Sequence, residues 1–195
     1  GQPTGSAAPT GDVVGDVLNL DLTALPADSP LILATVSGIV ATSGLSPLAY
    51  SQIEDFNLII NNQLVNVQMG DMFVRGTSEA NLIQFMRNPI PGDPEHTRIR
   101  LDTLVVDFTT TGKTLVFAGA ADDYITLANV RFPGEIYGEE GNDYISGSTG
   151  NDFLVGGLDN DQINAAAGDN IVWGDNAPSG ADLTPQDSVI GGNDV

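Results

Sequence analysis

The sequence predicts an all-β protein that contains a parallel β-solenoid, and three observations carry this prediction. Short runs rich in Val, Ile, Leu and Thr recur along the chain between Gly, Pro, Asn and Asp, which is the pattern of strands separated by turns. No long stretch shows a convincing period of about 3.6 residues, the signature of an amphipathic helix. Toward the C-terminal end, Gly, Asp and aliphatic residues repeat every nine positions. A short fixed period of this kind indicates stacked repeats.

The predicted organisation has three parts. Residues 1–12 are rich in Gly, Pro, Ser, Thr and Ala, and this composition indicates a flexible linker. Residues 13–122 hold most of the strand-like runs and form either solenoid coils or a small sandwich-like part. Residues 123–195 form a β-roll of repeats, which we expect to be truncated because the chain ends partway through a repeat. We expect the two β parts to stack continuously.

The strand-like runs lie at residues 17–25, 31–41, 56–60, 64–69, 72–76, 103–108, 114–119 and 123–129. The best helical candidate is residues 81–87, which Pro89 and Pro91 close quickly. Residues 88–98 contain three prolines, so this segment is predicted to be a surface loop.

Charge is distributed very unequally. The 195 residues include 26 Asp and Glu against 6 Lys and Arg, a net charge of −20. This balance excludes nucleic acid and anionic membrane surfaces as partners, because both need basic contacts. From Phe132 to Val195 there are 12 acidic residues and no Lys, Arg or His. Carboxylates at that density repel one another unless a divalent cation neutralises them.

Four rows of nine residues keep one register, at 138–146, 147–155, 156–164 and 165–173. The first position is Gly in three rows. The sixth position has a side chain with a ligand oxygen: Asp143, Asp152, Asp161 and Asn170. The eighth position has an aliphatic side chain: Ile145, Leu154, Ile163 and Val172. The Asp-x-aliphatic triplet recurs at Asp123, and again at Asp187 after an insertion of eight residues. Residues 129–137 keep Ile136 but have Gly134 at the sixth position, so that turn is predicted to be metal-free.

Each row divides into a six-residue turn and a three-residue strand whose middle residue faces inward while positions seven and nine face outward. Two rows make one coil of 18 residues, so Asp143 stacks over Asp161 and Asp152 over Asn170. Carboxylates about 4.8 Å apart repel strongly without a partner. Calcium, which takes six to eight oxygens, suits carboxylates and turn carbonyls better than magnesium does. Zinc prefers His or Cys, and this chain has no Cys and only His96.

The rows resemble the RTX (hemolysin-type) nonapeptide repeat, Gly-Gly-x-Gly-x-Asp-x-aliphatic-x. This resemblance implies a parallel β-roll that binds several Ca²⁺ ions between successive turns on each side, and that folds with calcium after export. It implies Asp143, Asp152 and Asp161 as side-chain ligands, with Asp123, Asp187 and Asn170 at equivalent positions. The expected carbonyl ligands are Glu139, Gly141, Gly150, Gly156 and Leu158. Ala165, Ala166 and Asn170 depart from the pattern, so the site between Asp152 and Asn170 should be weaker.

These features predict a non-catalytic, extracellular or cell-surface calcium-binding module with a structural or adhesive role. The chain lacks a His-Glu-x-x-His zinc motif and a Gly-x-Ser-x-Gly elbow, and His96 is expected to be an exposed loop residue. Two alternatives remain open: an accessory module of a secreted enzyme, and a subunit that stacks end to end. The expected partners are calcium and neighbouring repeats or domains of a longer chain, with no nucleic acid and no membrane insertion.

Overall fold

The structure, a computed structural model, describes residues 17–21, 26, 28–35, 39–42, 48–49, 55–60, 63–68, 70–88, 90–93, 96–109, 112–128, 130–175 and 188–191. The predicted linker at 1–12 and the predicted ligand Asp187 lie outside these ranges. Within them, every regular element is a β-strand. The described residues include no helix of the length and hydropathy that a membrane span requires.

The strands are β1 (Val17–Asp21), β2 (Leu31–Ala34), β3 (Ile39–Thr42), β4 (Leu48–Ala49), β5 (Asp55–Ile60), β6 (Gln63–Gln68), β7 (Met72–Thr77), β8 (Leu82–Arg87), β9 (His96–Leu101), β10 (Leu104–Thr109), β11 (Thr114–Ala120), β12 (Tyr124–Thr126), β13 (Gly134–Glu140), β14 (Tyr144–Ser146), β15 (Phe153–Leu158), β16 (Gln162–Ala166), β17 (Ile171–Asp175) and β18 (Ser188–Gly191).

Two facing sheets form a parallel β-solenoid. Strands β8, β12, β14, β16 and β18 pair in parallel in one sheet, and β7, β11, β13, β15 and β17 pair in parallel in the other. Ile145 lies beside Ile163, and Leu154 lies beside Val172, so two nine-residue rows make one coil as predicted. The sheets continue across residue 122, because β11 pairs with both β7 and β13.

The interior of the solenoid is a pair of aliphatic columns, one from each sheet. Position eight of successive coils supplies them: Ile83, Ile125, Ile145 and Ile163 from one sheet, and Val74, Val116, Ile136, Leu154 and Val172 from the other. All but Val172 are fully buried. A row with one inward aliphatic residue cannot bury enough apolar surface alone, so each coil depends on its neighbours.

Antiparallel strands cover the N-terminal end of the solenoid. In one sheet β9 and β10 continue from β8, and in the other β2, β3 and β4 continue from β7. Strand β10 also contacts β2 and β3, which closes the space between the sheets. Phe85, Phe108 and Phe132 fill this end, with ring centroids 6.2 Å apart in each pair. We call strands β2, β3, β4, β9 and β10 the antiparallel cap.

A third sheet lies outside the solenoid. Its strands β1, β5 and β6 have the order β1-β5-β6, and it forms a second core with the outer face of the β7–β11 sheet. Phe56 and Leu58 of this sheet are fully buried, as are Leu33 and Phe73 on the opposing face. These residues form a second hydrophobic core between the third sheet and the outer face of the solenoid.

Two expectations need correction. Residues 82–87 are strand β8 and not a helix, because Ile83 and Phe85 alternate with more exposed neighbours and pair with β9 and β12. The predicted loop at 88–98 is shorter, since His96 begins β9 and its Nδ1 lies 2.9 Å from the Asn88 carbonyl oxygen. Val155, at position nine of its row, is buried beside Tyr137 and Trp173 of the adjacent strands.

Candidate metal centre

The turns of the solenoid lie along two edges. The first edge consists of turns 76–81, 118–123, 138–143 and 156–161, each of which runs from the β7–β11 sheet to the β8–β12 sheet. The second edge consists of turns 147–152 and 165–170 together with Gly134, where the chain returns from the β8–β12 sheet to the β7–β11 sheet. The predicted ligands therefore separate into two groups. Asp152, Asn170 and Gly150 lie on the second edge, and the others that the structure describes lie on the first.

A ladder of hydrogen bonds connects the sixth positions along the first edge. The N–H of Asn81 donates to Asp123 Oδ1 at 2.6 Å, and the N–H of Asp123 donates to Asp143 Oδ1 at 2.8 Å. The N–H of Asp143 donates to Asp161 Oδ1 at 2.9 Å. The predicted stacking of Asp143 over Asp161 is confirmed, and the column extends beyond the strict rows to Asp123.

The Oδ2 atoms of the aspartates in this column distinguish the first edge from the second. Asp123 is 3% exposed and Asp143 is 2% exposed, and the Oδ2 atom of each is buried without a hydrogen-bond partner. A buried carboxylate oxygen without a donor is costly. Burial raises the pKa of Asp123 to about 8, an effect that the hydrogen bond from Asn81 opposes and the charge of Asp143 reinforces. Burial likewise raises the pKa of Asp143 to about 6.

Glycine at the first position of a row makes room for these oxygens. A Cβ on Gly138 would collide with Asp143 Oδ2 and with the carbonyl oxygen of Gly156 in the next coil. A Cβ on Gly156 would collide in the same way with Asp161 Oδ2 and the Gly174 carbonyl. At each of these glycines, a carboxylate oxygen of the same turn and a main-chain carbonyl oxygen of the next coil therefore border the space that a Cβ would fill.

The backbone of the first edge turns its carbonyls toward neighbouring coils by a repeated left-handed conformation. Residues at positions two and four have positive φ: Gly119, Ala121, Glu139, Gly141, Gly157 and Asp159. The carbonyl of Glu139 faces Gly157 of the next turn, and the carbonyl of Leu158 accepts a hydrogen bond from the Gly141 N–H at 3.3 Å. The Glu139 and Glu140 side chains are exposed.

The oxygen atoms of the first edge fit a hard divalent cation. Carboxylates and main-chain carbonyls are the ligands that calcium prefers. Among the described residues, no group of three or more His, Cys, Asp or Glu side chains is arranged to hold a metal. A cation at this edge would therefore depend on carbonyls for most of its coordination, and Asp123, Asp143 and Asp161 are the side chains that could hold it.

Sequence reasoning missed one row on this edge. Turn 76–81 joins the same column: Gly76 occupies the first position, Asn81 the sixth, and Ile83 pairs with Ile125 at the eighth. The spacing Gly-x₄-Asn-x-Ile was present as a signal. It escaped notice because 42 residues separate Ile83 from Ile125, and strands β9 and β10 occupy that interval.

Fold and site together define a calcium-binding β-roll joined to further β structure. Residues 137–172 match the family model of the RTX calcium-binding nonapeptide repeat, in four copies. Such repeats bind several Ca²⁺ ions per array. Comparisons with curated proteins and with solved structures found no match.

Proposed function

We propose that this chain is a non-catalytic extracellular module whose repeats fold when they bind calcium, and that its role is structural or adhesive. The observation that carries the proposal is the pair of buried Oδ2 atoms on Asp123 and Asp143 that lack hydrogen-bond donors. Without a cation these carboxylates must remain protonated or destabilise the coils. With one, the same atoms hold neighbouring coils together.

The repeat that residues 137–172 match is typical of secreted proteins, which supports the proposed extracellular location. Oxygen sites in extracellular modules bind calcium with dissociation constants on the order of 10⁻⁴ to 10⁻³ M. Binding only to the folded form stabilises it by mass action, by about 1.4 kcal/mol per ion at a tenfold excess over the dissociation constant. A module of this kind therefore remains largely empty where calcium is scarce and folds where it is abundant.

Calcium removal tests the proposal. We expect far-UV circular dichroism in EGTA to show loss of β structure and the melting temperature to fall. Excess calcium should restore both, and magnesium should not. Asp143→Asn should weaken calcium binding in a calorimetric titration. Glu140→Gln, which removes the same charge from an exposed side chain of the same turn, should leave binding unchanged. An unchanged spectrum and melting temperature in EGTA would refute the proposal.

The alternatives differ in what supports them. An accessory module of a secreted enzyme would bind calcium identically, so only the sequence of the parent protein separates it from a structural module. A subunit that stacks end to end receives less support. The C-terminal end presents the parallel edge strands β17 and β18, whereas the other end carries the antiparallel cap. Sedimentation velocity with and without calcium distinguishes a monomer from a growing assembly.

A further inference from the structure

The two edges of the roll differ in how their sixth-position carboxylates are satisfied. On the second edge, Asp152 is 3% exposed and both of its oxygens accept hydrogen bonds. Asp152 Oδ1 accepts from the Gly134 N–H at 2.6 Å and from the Ser148 hydroxyl at 2.8 Å. Asp152 Oδ2 accepts from the Ser148 N–H at 2.7 Å. Three donors thus surround a carboxylate whose counterparts Asp123 and Asp143 each keep one oxygen without a donor.

Asn170 lies in the next coil of the second edge, and its side-chain amide hydrogen-bonds the polar groups around it. Its Oδ1 accepts the N–H of Asp152 at 2.8 Å, as an aspartate would. Its Nδ2 donates to the carbonyl oxygens of Ala165 and Ala167, at 3.1 and 3.4 Å. These carbonyls belong to positions one and three of the same row. An amide N–H group is therefore directed at oxygens that would otherwise be available to a cation.

The backbone of turn 147–152 differs as well. Turns 118–123, 138–143 and 156–161 of the first edge all have positive φ at positions two and four. In turn 147–152 the corresponding residues, Ser148 and Gly150, do not, although Ala166 and Gly168 of turn 165–170 do. The buried Ser148 hydroxyl instead accepts the N–H of Gly150 at 2.9 Å and donates to Asp152. Its side chain lies inside the turn, so a cation at Asp152 would have to displace it.

We infer that the second edge is closed by its own hydrogen bonds and takes no calcium between Asp152 and Asn170, so that this roll binds calcium along the first edge alone. The inference rests on the proposed function, since it concerns where the calcium of that module binds. It separates residues that the repeat pattern treats as equivalent. Ser148 and Asn170 act as the donors that replace a cation, and they make this edge independent of calcium.

The number of bound ions tests the inference. Native mass spectrometry of the full chain at saturating calcium should give the same number of ions for Asp152→Asn as for the unmodified protein, and fewer for Asp143→Asn. Loss of an ion from Asp152→Asn equal to that from Asp143→Asn would overturn the inference. If the unmodified chain bound no calcium at all, the proposed function would fail instead.

Asn170→Asp supplies a second test that does not depend on how Asp152→Asn folds. The new carboxylate would face the carbonyls of Ala165 and Ala167 without a donor, which reproduces the situation on the first edge. We expect the number of ions to increase by one. If this variant bound calcium more tightly with no change in the number of ions, an ion would already occupy this position in the unmodified protein, and the inference would be wrong.

Discussion

The two ends of the solenoid are stabilised by different means. The capped end contains large apolar side chains, including Phe85, Phe108 and Phe132, enclosed by antiparallel strands. The repeat end has one inward aliphatic residue per row and buries carboxylates in its turns. Apolar burial stabilises the cap in any buffer, whereas under the proposed function the repeats need a cation to offset the charge of their buried carboxylates. One continuous pair of sheets thus joins an apolar end to an end with buried carboxylates, and we predict that only the second end depends on calcium.

Calcium removal should have the largest effect, because it should destabilise the repeat end and leave the capped end folded. In EGTA, we expect amides of β14 and β16 to lose most of their protection from hydrogen exchange, while amides of β9 and β10 keep theirs. The physical reason is that local stability follows local burial and charge. Hydrogen-exchange mass spectrometry with and without calcium measures both regions in one sample. Equal loss of protection in the cap and the repeats would contradict this division.

Truncating an aromatic ring beneath the cap should have the next largest effect. Phe85→Ala removes a ring that is 2% exposed and should lower the free energy of unfolding by about 3–5 kcal/mol. Because the ring packs against Phe108 and Phe132, the loss should be similar with and without calcium. Met86 lies on the same strand but is 38% exposed. Met86→Ala should therefore change the free energy of unfolding by about 0.5 kcal/mol or less. Urea unfolding measures the stability of both variants. A loss of stability seen only in calcium would contradict a calcium-independent core at this end.

Adding one methyl group to a turn should sharpen the comparison between the two edges. Gly156→Ala introduces a Cβ against Asp161 Oδ2 and the Gly174 carbonyl, and should cost about 1–3 kcal/mol. It should also weaken calcium binding, because it fills the space between two ligand oxygens. Gly147→Ala is the matched variant on the second edge, where a Cβ would lie 2.6 Å from Asp152 Oδ2.

Gly147→Ala should lower the melting temperature equally in EGTA and in calcium, since no ion is expected beside it. Calorimetric titration of both variants separates the effects. If both substitutions reduced calcium affinity to the same extent, the two edges would be equivalent.

A dependence on pH is also expected. Burial raises the pKa of Asp123 to about 8 and that of Asp143 to about 6, against about 4 for an unfolded aspartate. Between these values the folded state holds more protons, so stability without calcium falls as pH rises. In EGTA, lowering the pH from about 8 to about 5 should therefore stabilise the repeats.

With calcium the trend should reverse, because protons compete with the cation for the carboxylates. Melting curves at several pH values, with and without calcium, check the sign. A melting temperature in EGTA that rose with pH would show that these carboxylates are not buried as protonated acids.

Much of the calcium-binding edge was predictable because a nine-residue period directly encodes stacking. The pairs Ile145–Ile163 and Asp143–Asp161 follow from counting alone, and the structure has both. Turn 76–81 was not predictable by counting, since β9 and β10 interrupt its coil. Strand β8 was mistaken for a helix because short apolar runs do not distinguish the two, and only pairing with β9 and β12 decides.

By itself, the sequence determined that this protein is all-β, that its C-terminal rows stack every 18 residues, and that its turns carry the aspartates of a calcium-binding repeat. These properties are local and periodic, so residue type and spacing specify them. Only the tertiary structure decided which carboxylates keep an oxygen without a donor. Asp143 and Asp152 occupy the same position in the repeat, yet Ser148 and Gly134 hydrogen-bond Asp152 alone. Hydrogen bonds between coils depend on the conformation of each turn, which the repeat pattern does not encode.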